Sequence, residues 1–187
     1  HYLATLPEDW KAQAEADVEF IETMLELPEG ARVLDVGCGN GRHVFAFADR
    51  GIDATGTDNS LAMLLAAGQL NEGREVPSSF LHADMRQLPK DVKYDAVVCL
   101  GSTYGYFEDE VNKQVLRDFR EILKPGGKLV IQVFNRDYLS ARLPCRSWWA
   151  SKRGMIVDEA EMNYFANRLR VHRTIVLDDG RNFEHYM

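Results

Sequence analysis

The stretch VLDVGCGNGRH, Val33 to His43, sets three glycines, Gly37, Gly39 and Gly41, within five residues, directly behind an apolar run that contains Asp35. A simple turn needs one or two glycines. Three imply a loop whose backbone must come close to something, because a residue without Cβ admits both close approach and left-handed backbone. The residues before it, Arg32 to Val36, read as a short strand. Those after it, His43 to Asp49, read as a helix that Arg50-Gly51 ends. Strand, glycine loop and helix make a nucleotide-type site, in which backbone N–H groups and the helix start favour negative groups of a ligand. The dinucleotide form of the loop is GxGxxG. Here the third glycine comes one residue early, and Arg42 stands where that motif needs glycine.

Working outward, strands and helices alternate. A helix is expected from about Glu8 to Leu27, with Val18, Ile21, Met24 and Leu25 at helical spacing. After the glycine loop come a strand at Asp53–Thr57 and a helix at Ser60–Leu70 offering Leu61, Leu64, Leu65 and Ala66 to a core. Strands at Phe80–His82 and Tyr94–Leu100 follow. The run AVVCL suits a strand buried on both faces. Val115, Phe119 and Ile122 line one side of a helix from Val111 to Leu123; KPGG breaks it, and Lys128–Phe134 is a fifth strand. This alternation predicts an α/β fold: a Rossmann-like, doubly wound, mainly parallel sheet with helices on both faces. After Pro144 the pattern changes. RSWWASKRG reads as a connector, and three antiparallel strands follow, with Asp178-Asp179-Gly180 as a turn and His172 facing solvent. Adjacent Trp148 and Trp149 face opposite ways on any strand. The expected organisation is an N-terminal helix or lid region (1–30, with Tyr2 and Trp10), a core (31–144) and a small appended antiparallel sheet (145–187).

The bulk properties narrow the function. The chain has 187 residues, net charge −7 and 45 % hydrophobic residues, as expected of one globular domain with a substantial core. The acidity argues against a nucleic-acid partner. There is no apolar run of about 18 residues for a membrane span. Cys38, Cys99 and Cys145 lack metal spacing and read as free thiols of a cytoplasmic protein, and no metal motif is present. Asp58 closes the second strand, 21 residues beyond Gly37. It can accept the two ribose hydroxyls of an adenosine or serve as a turn or helix cap before Ser60. Asp84 can accept from an adenine amino group, with Met85 packing on the ring, or be a loop aspartate satisfied locally.

These pieces come in a fixed order: Asp35-Val-Gly-Cys-Gly-Asn-Gly41, Gly56-Thr-Asp58, Ala83-Asp84-Met85, Tyr94-Asp-Ala-Val-Val98 and Leu123-Lys-Pro-Gly-Gly127. Together they resemble the successive motifs of class I S-adenosylmethionine-dependent methyltransferases, over roughly Ala31 to Phe134. GRH at 41–43, GYFEDE at 105–110, NRDYL at 135–139 and SWW at 147–149 further resemble a small-molecule subgroup with an antiparallel insertion after the fifth strand. The resemblance implies S-adenosylmethionine as cofactor, held by Asp35, Gly37, Cys38, Gly39, Asp58, Asn59, Asp84, Met85, Leu100 and Gly101. The carboxyl ends of the fourth and fifth strands place a small-molecule acceptor near Tyr104, Tyr106, Asn135 and Arg136, with the other readings that the tyrosines pack their loop and that Arg136 pairs with Asp137 or caps a helix. No catalytic base is identifiable, and one tryptophan of the Trp148–Trp149 pair is a candidate homodimer contact. His43 and His82 are read as cofactor-side or packing residues. Class I domains end in a further helix and strand pair, so a longer natural chain is expected. Two other readings stay open: a non-catalytic S-adenosylmethionine-binding module and a nicotinamide-dependent oxidoreductase.

Overall fold

A computed structural model describes residues 10–151 and 154–186. They fall into two compact units, one ending at Val133 and one beginning at Phe134. The first contains α1 (Trp10–Leu25), β1 (Arg32–Val36), α2 (Arg42–Ala48), β2 (Asp53–Asp58), α3 (Leu61–Asn71), β3 (Ser79–His82), β4 (Tyr94–Cys99), α4 (Asp109–Ile122) and β5 (Leu123–Ile131). Its five strands are all parallel, in the order β3-β2-β1-β4-β5. The chain winds outward from β1 in one direction and from β4 in the other, so the order reverses between these two strands. That reversal opens a crevice at their carboxyl ends, where open α/β sheets bind ligands.

Side chains alternate across a strand, and here both faces are covered. Val33, Ala96, Val98 and Leu100 pack with Ala14, Val18 and Ile21 of α1 and with Val44 and Phe47 of α2. Leu34, Val36, Val97 and Cys99 pack with Val115, Phe119 and Ile122 of α4. The continuous apolar character of AVVCL follows from this double burial. Tyr2 lies outside the described residues, and so does the side chain of Trp10. None of the described helices is long and apolar enough to cross a membrane.

Two details of this unit depart from the expected pattern. The face of α3 that packs inward is carried by Met63 and Ala67, with Leu64 half-buried against the core as expected, whereas Leu61 and Leu65 are exposed. The helix covers β2 and the four-residue β3 at the sheet margin. That margin accommodates only a narrow strip, and a small residue such as Ala67 lets the helix approach it closely. The fifth strand begins at Leu123 rather than Lys128 and ends at Ile131 rather than Phe134. Leu123 pairs with Tyr94, and Lys128 with Ala96. KPGG therefore ends α4, as expected, but stays within β5 as an excursion. Asp95 pins it, accepting from Lys124 Nζ at 2.9 and 2.8 Å and from the Arg32 N–H at 2.8 Å.

The second unit holds α5 (Arg136–Ser140), β6 (Cys145–Ser151), β7 (Gly154–Asn163), β8 (Arg168–Leu177) and β9 (Asn182–Tyr186), the strands forming an antiparallel sheet in chain order. The segment read as a connector is thus a fourth strand. Its signal is the tryptophan pair: Trp149 sits opposite Ile156 and joins Ile175, Leu177 and Phe183 in a small core, while Trp148 is 70 % exposed. On the same face, Arg173 grips Asp158 through two bonds of 2.7 Å. Its guanidinium also lies 5.3 Å from the Trp149 ring. His172 is not simply solvent-facing. It stacks on Tyr186 at 4.4 Å between centroids, with Nδ1 3.3 Å from Glu159. The turn at Asp178-Asp179-Gly180 forms as expected, with the Gly180 N–H donating to Leu177 O at 2.9 Å.

Candidate active site

Gly37, Gly39 and Gly41 have φ of 76°, 58° and 83°. A Cβ on Gly37 would lie 2.2 Å from Thr103 Cγ2, so the loops after β1 and β4 touch where only glycine fits. The loop also rests on β2, since a Cβ on Gly56 would lie 2.7 Å from Cys38 Sγ. Four N–H groups of this loop are turned to acceptors within the protein, where the sequence reading has them face a ligand. Gly37 and Cys38 both donate to Thr57 O (2.7 and 2.9 Å), Gly41 donates to Cys38 O, and Gly39 donates to Asp58 Oδ2 at 2.8 Å. What the loop contributes is close backbone approach, held in place by β2.

Asp35 sits beneath it. It is 1 % exposed, and its Oδ2 is buried without a hydrogen-bond partner. Burial pushes its carboxyl up to about 7; the Arg42 guanidinium opposes that shift and the Asp58 carboxylate adds to it. A buried carboxyl with an unused oxygen is costly unless a cation or donor meets it. Asp58 joins two elements: one oxygen accepts from Gly39, the other from the Ser60 N–H at 2.8 Å, at the start of α3. Beside it, Asn59 O lies 3.1 Å from His82 Nε2. Burial pushes the Cys38 and Cys99 thiols up, the latter to about 12, so both are inert thiols here.

The loop after β3 holds Asp84 by local bonds. Arg86 donates from its backbone N–H (2.9 Å), from Nε (3.0 and 3.1 Å) and from Nη2 (2.5 Å), and holds the Asp84 carboxyl below its ordinary range. Met85 is half-buried against the α4-side core. After β4, Leu100 is buried, and the Gly101 N–H donates to Gln132 Oε1 at 2.7 Å. Tyr104 packs on the same core, with its hydroxyl donating to Asn112 O at 3.1 Å. Tyr106 is 61 % exposed. Asn135 caps α5, accepting from the Tyr138 N–H at 3.0 Å, and Arg136 is the first, exposed residue of that helix; both belong to the second unit. His43 is buried, lies 3.2 Å from Asp17, and is pushed down to about 4 by desolvation, so it is a neutral packing residue. Thr57, Arg86, Phe107, Asn112 and Gln132 escaped the sequence reading, since a partner distant in the chain gives each its role.

A glycine loop over a buried carboxyl and an acidic residue ending β2 thus lie beside the crevice at the ends of β1 and β4. Residues 33–127 match the family described as a methyltransferase domain. The chain belongs to that family. As a methyltransferase domain it is 29 % identical over 134 residues to a glycine/sarcosine N-methyltransferase of Aphanothece halophytica, covering 70 % of this chain and 51 % of that protein. It is 29 % identical over 187 residues to a dTDP-3-amino-3,4,6-trideoxy-alpha-D-glucopyranose N,N-dimethyltransferase of Streptomyces venezuelae, covering 95 % and 74 %. The chain spans about half the length of the glycine/sarcosine enzymes it matches. Among solved structures, Streptomyces venezuelae DesVI superposes with a TM-score of 0.75 at 25 % identity, covering 100 % of this chain and 78 % of that one. An S-adenosylmethionine-dependent methyltransferase of Clostridium acetobutylicum gives 0.77 at 17 %, covering 93 % and 72 %, a likeness of fold. The class I methyltransferase resemblance and the parallel-plus-antiparallel architecture are thus borne out. The oxidoreductase and non-catalytic readings are not favoured. The family's cofactor is S-adenosylmethionine. The residues present fit it, because the unpartnered oxygen of Asp35 suits its ammonium group.

Proposed function

We propose that this chain is the cofactor-binding portion of a methyltransferase that moves a methyl group from S-adenosylmethionine to a small-molecule acceptor. The observation that carries this reading is the buried, unpartnered Asp35 oxygen beneath the left-handed glycine loop. In this reading Asp35 faces the ammonium, Gly37, Cys38 and Gly39 run beneath the methionine part, and Asp58 and Asn59 receive the ribose. Asp84 and Met85 hold the adenine, while Leu100 and Gly101 border the reactive end. The bound cofactor supplies an activated methyl that an in-line nucleophile takes. The chain's own residues bind, orient and exclude water. Neutral, buried His43 is not a base, and an amine acceptor needs little help of that kind.

An amine is the first acceptor class to test, because relatives bearing that activity in their names align across most of this chain. Tyr106 is the acceptor-side candidate of the first unit; Tyr104 has its hydroxyl committed to Asn112. The unit that ends at Val133 serves as the cofactor-binding core and the antiparallel sheet as its appendage, rather than a core that runs on to 144, in a cytoplasmic protein without a nucleic-acid partner that can pair as a homodimer.

Calorimetric titration with S-adenosylmethionine and S-adenosylhomocysteine, with NAD as control, tests the cofactor. Saturable one-site binding of the first two alone is expected; binding of NAD instead overturns the reading. A turnover assay with glycine and amino-sugar nucleotides, following S-adenosylhomocysteine release, then addresses the acceptor.

A further inference from the structure

Arg86 occupies a position that the cofactor reading does not use. Its guanidinium fork closes on Asp84, and its carbon centre lies 4.5 Å from the Phe107 ring centroid. Asp84 belongs to the loop after β3, and Phe107 to the loop after β4. Phe107 is in turn bonded at both of its main-chain polar groups. The Asn112 side-chain amide donates to its carbonyl at 2.6 Å and accepts from its N–H at 3.3 Å. Asn112 is buried on the first turn of α4 and also takes the Tyr104 hydroxyl on its own carbonyl. The β4–α4 loop is therefore pinned at Tyr104 and Phe107, with exposed Tyr106 between the pins.

We propose that Arg86 is a positioning residue that ties the base end of the cofactor site to the loop on the acceptor side, holding Asp84 with its fork and Phe107 with its face. The proposal rests on the cofactor reading above. Arginine suits both tasks, since one planar group makes bidentate bonds to a carboxylate and stacks on a ring. Two consequences follow. The fork fixes the plane of an ionised Asp84, which accepts hydrogen bonds only. A base carrying an amino group is then preferred over one carrying an oxo group at the same place. A base seated against Asp84 also restrains Arg86, which restrains the Phe107 block, so filling the base end orders residues 104–107.

The test uses the whole chain and three variants, Arg86→Met, Arg86→Lys and Phe107→Leu. Affinities for S-adenosylhomocysteine and its inosine counterpart are measured by calorimetry. Hydrogen exchange of residues 103–108 is followed with and without S-adenosylhomocysteine. Arg86→Met is expected to bind S-adenosylhomocysteine about tenfold more weakly, with its preference over the inosine compound falling by about the same factor, and to lose ligand-induced protection. Arg86→Lys keeps the charge without the fork and falls between. Phe107→Leu retains the base preference within about twofold but loses the protection, separating the two contacts. If Arg86→Met weakens both compounds equally and leaves protection intact, Arg86 is a structural residue and the proposal fails. Wild-type binding that Arg86→Met leaves unchanged also overturns it, while the cofactor reading stands. If the wild type binds neither compound, the cofactor reading itself falls, and this inference with it.

Discussion

The parallel and the antiparallel sheet place their charged groups differently. In the antiparallel unit, charges on the sheet meet one another: Arg173 with Asp158, Arg146 with Glu159, and His172 between Glu159 and Glu184. In the parallel unit, the buried Asp35 and Thr57 each keep a side-chain oxygen without a partner. An antiparallel sheet has neighbouring strands whose side chains stand directly opposite, so opposite charges can be matched in place. On the parallel sheet, which is covered on both faces, burial raises the Asp35 carboxyl more than the Arg42 guanidinium lowers it. A polar group kept there is costly to the fold and useful to a ligand. On β1 the unpartnered Asp35 oxygen lies beneath the glycine loop, where a ligand can meet it, whereas on the antiparallel sheet the unpartnered His172 Nε2 faces the Glu184 carboxylate at 3.6 Å.

The sharpest way to break this contrast is at the glycine loop. Gly37→Ala adds left-handed strain and a clash with Thr103, and is expected to lower unfolding free energy by about 4 kcal/mol and to abolish cofactor binding. Denaturant unfolding and calorimetry measure the two effects. In the antiparallel unit, Arg173→Met leaves the part-buried Asp158 without its bidentate partner, for an expected loss of about 2 kcal/mol. Adding Asp158→Leu should recover most of it; a double variant as unstable as the single one would show that the pair is not a self-contained unit.

Asp58→Ala removes the acceptor shared by Gly39 and Ser60 and is expected to weaken S-adenosylhomocysteine binding about thirtyfold, about 2 kcal/mol, in a titration. Wild-type affinity in this variant would restrict Asp58 to capping.

Asp35 makes the contrast dependent on pH. Its carboxyl is raised from 3.8 to about 7, so the folded chain keeps a proton that the unfolded chain has released. Its contribution to stability is fully present below 3.8, declines as pH rises towards 7, and levels off above, with a slope of at most about 1.4 kcal/mol per pH unit. Cofactor affinity should run the other way, rising by up to about tenfold per unit below pH 7 as the carboxylate forms, then flattening. Asp35→Asn should remove both slopes, seen in thermal melts and titrations across pH 5 to 8.

The smallest expected effect is at the β8–β9 turn. Gly180 has φ of 85° but open space around it, so Gly180→Ala should cost about 1 kcal/mol, strain without a clash. A cost near that of Gly37→Ala would mean that left-handed backbone, rather than close approach, is what the glycine loop requires.

The order of motifs was legible because each is local: VLDVGCGNG carries its strand and loop in consecutive residues, and Val115, Phe119 and Ile122 announce a buried helix face by spacing alone. Strand β6 was less legible because the tryptophan pair alternates correctly, but its partner Ile156 lies beyond the hairpin. The inward face of α3 was legible at Leu64 but not at Leu61 and Leu65, because so many of its residues are apolar; the neighbouring strands, not the helix, select Met63 and Ala67. The loop N–H groups were misread because Thr57, from the next strand, takes two of them.

The sequence by itself determined the succession of strands and helices, the glycine loop, and the acidic residues ending β2 and following β3, since these depend on neighbours along the chain. Only the tertiary structure decided that Asp35 keeps an unpartnered oxygen, that Asp58 ties the loop to α3, and that Arg86 spans from Asp84 to Phe107. Burial and pairing depend on which distant residues come to surround a group. Electrostatic cost and hydrogen-bond satisfaction exist only once those surroundings have assembled.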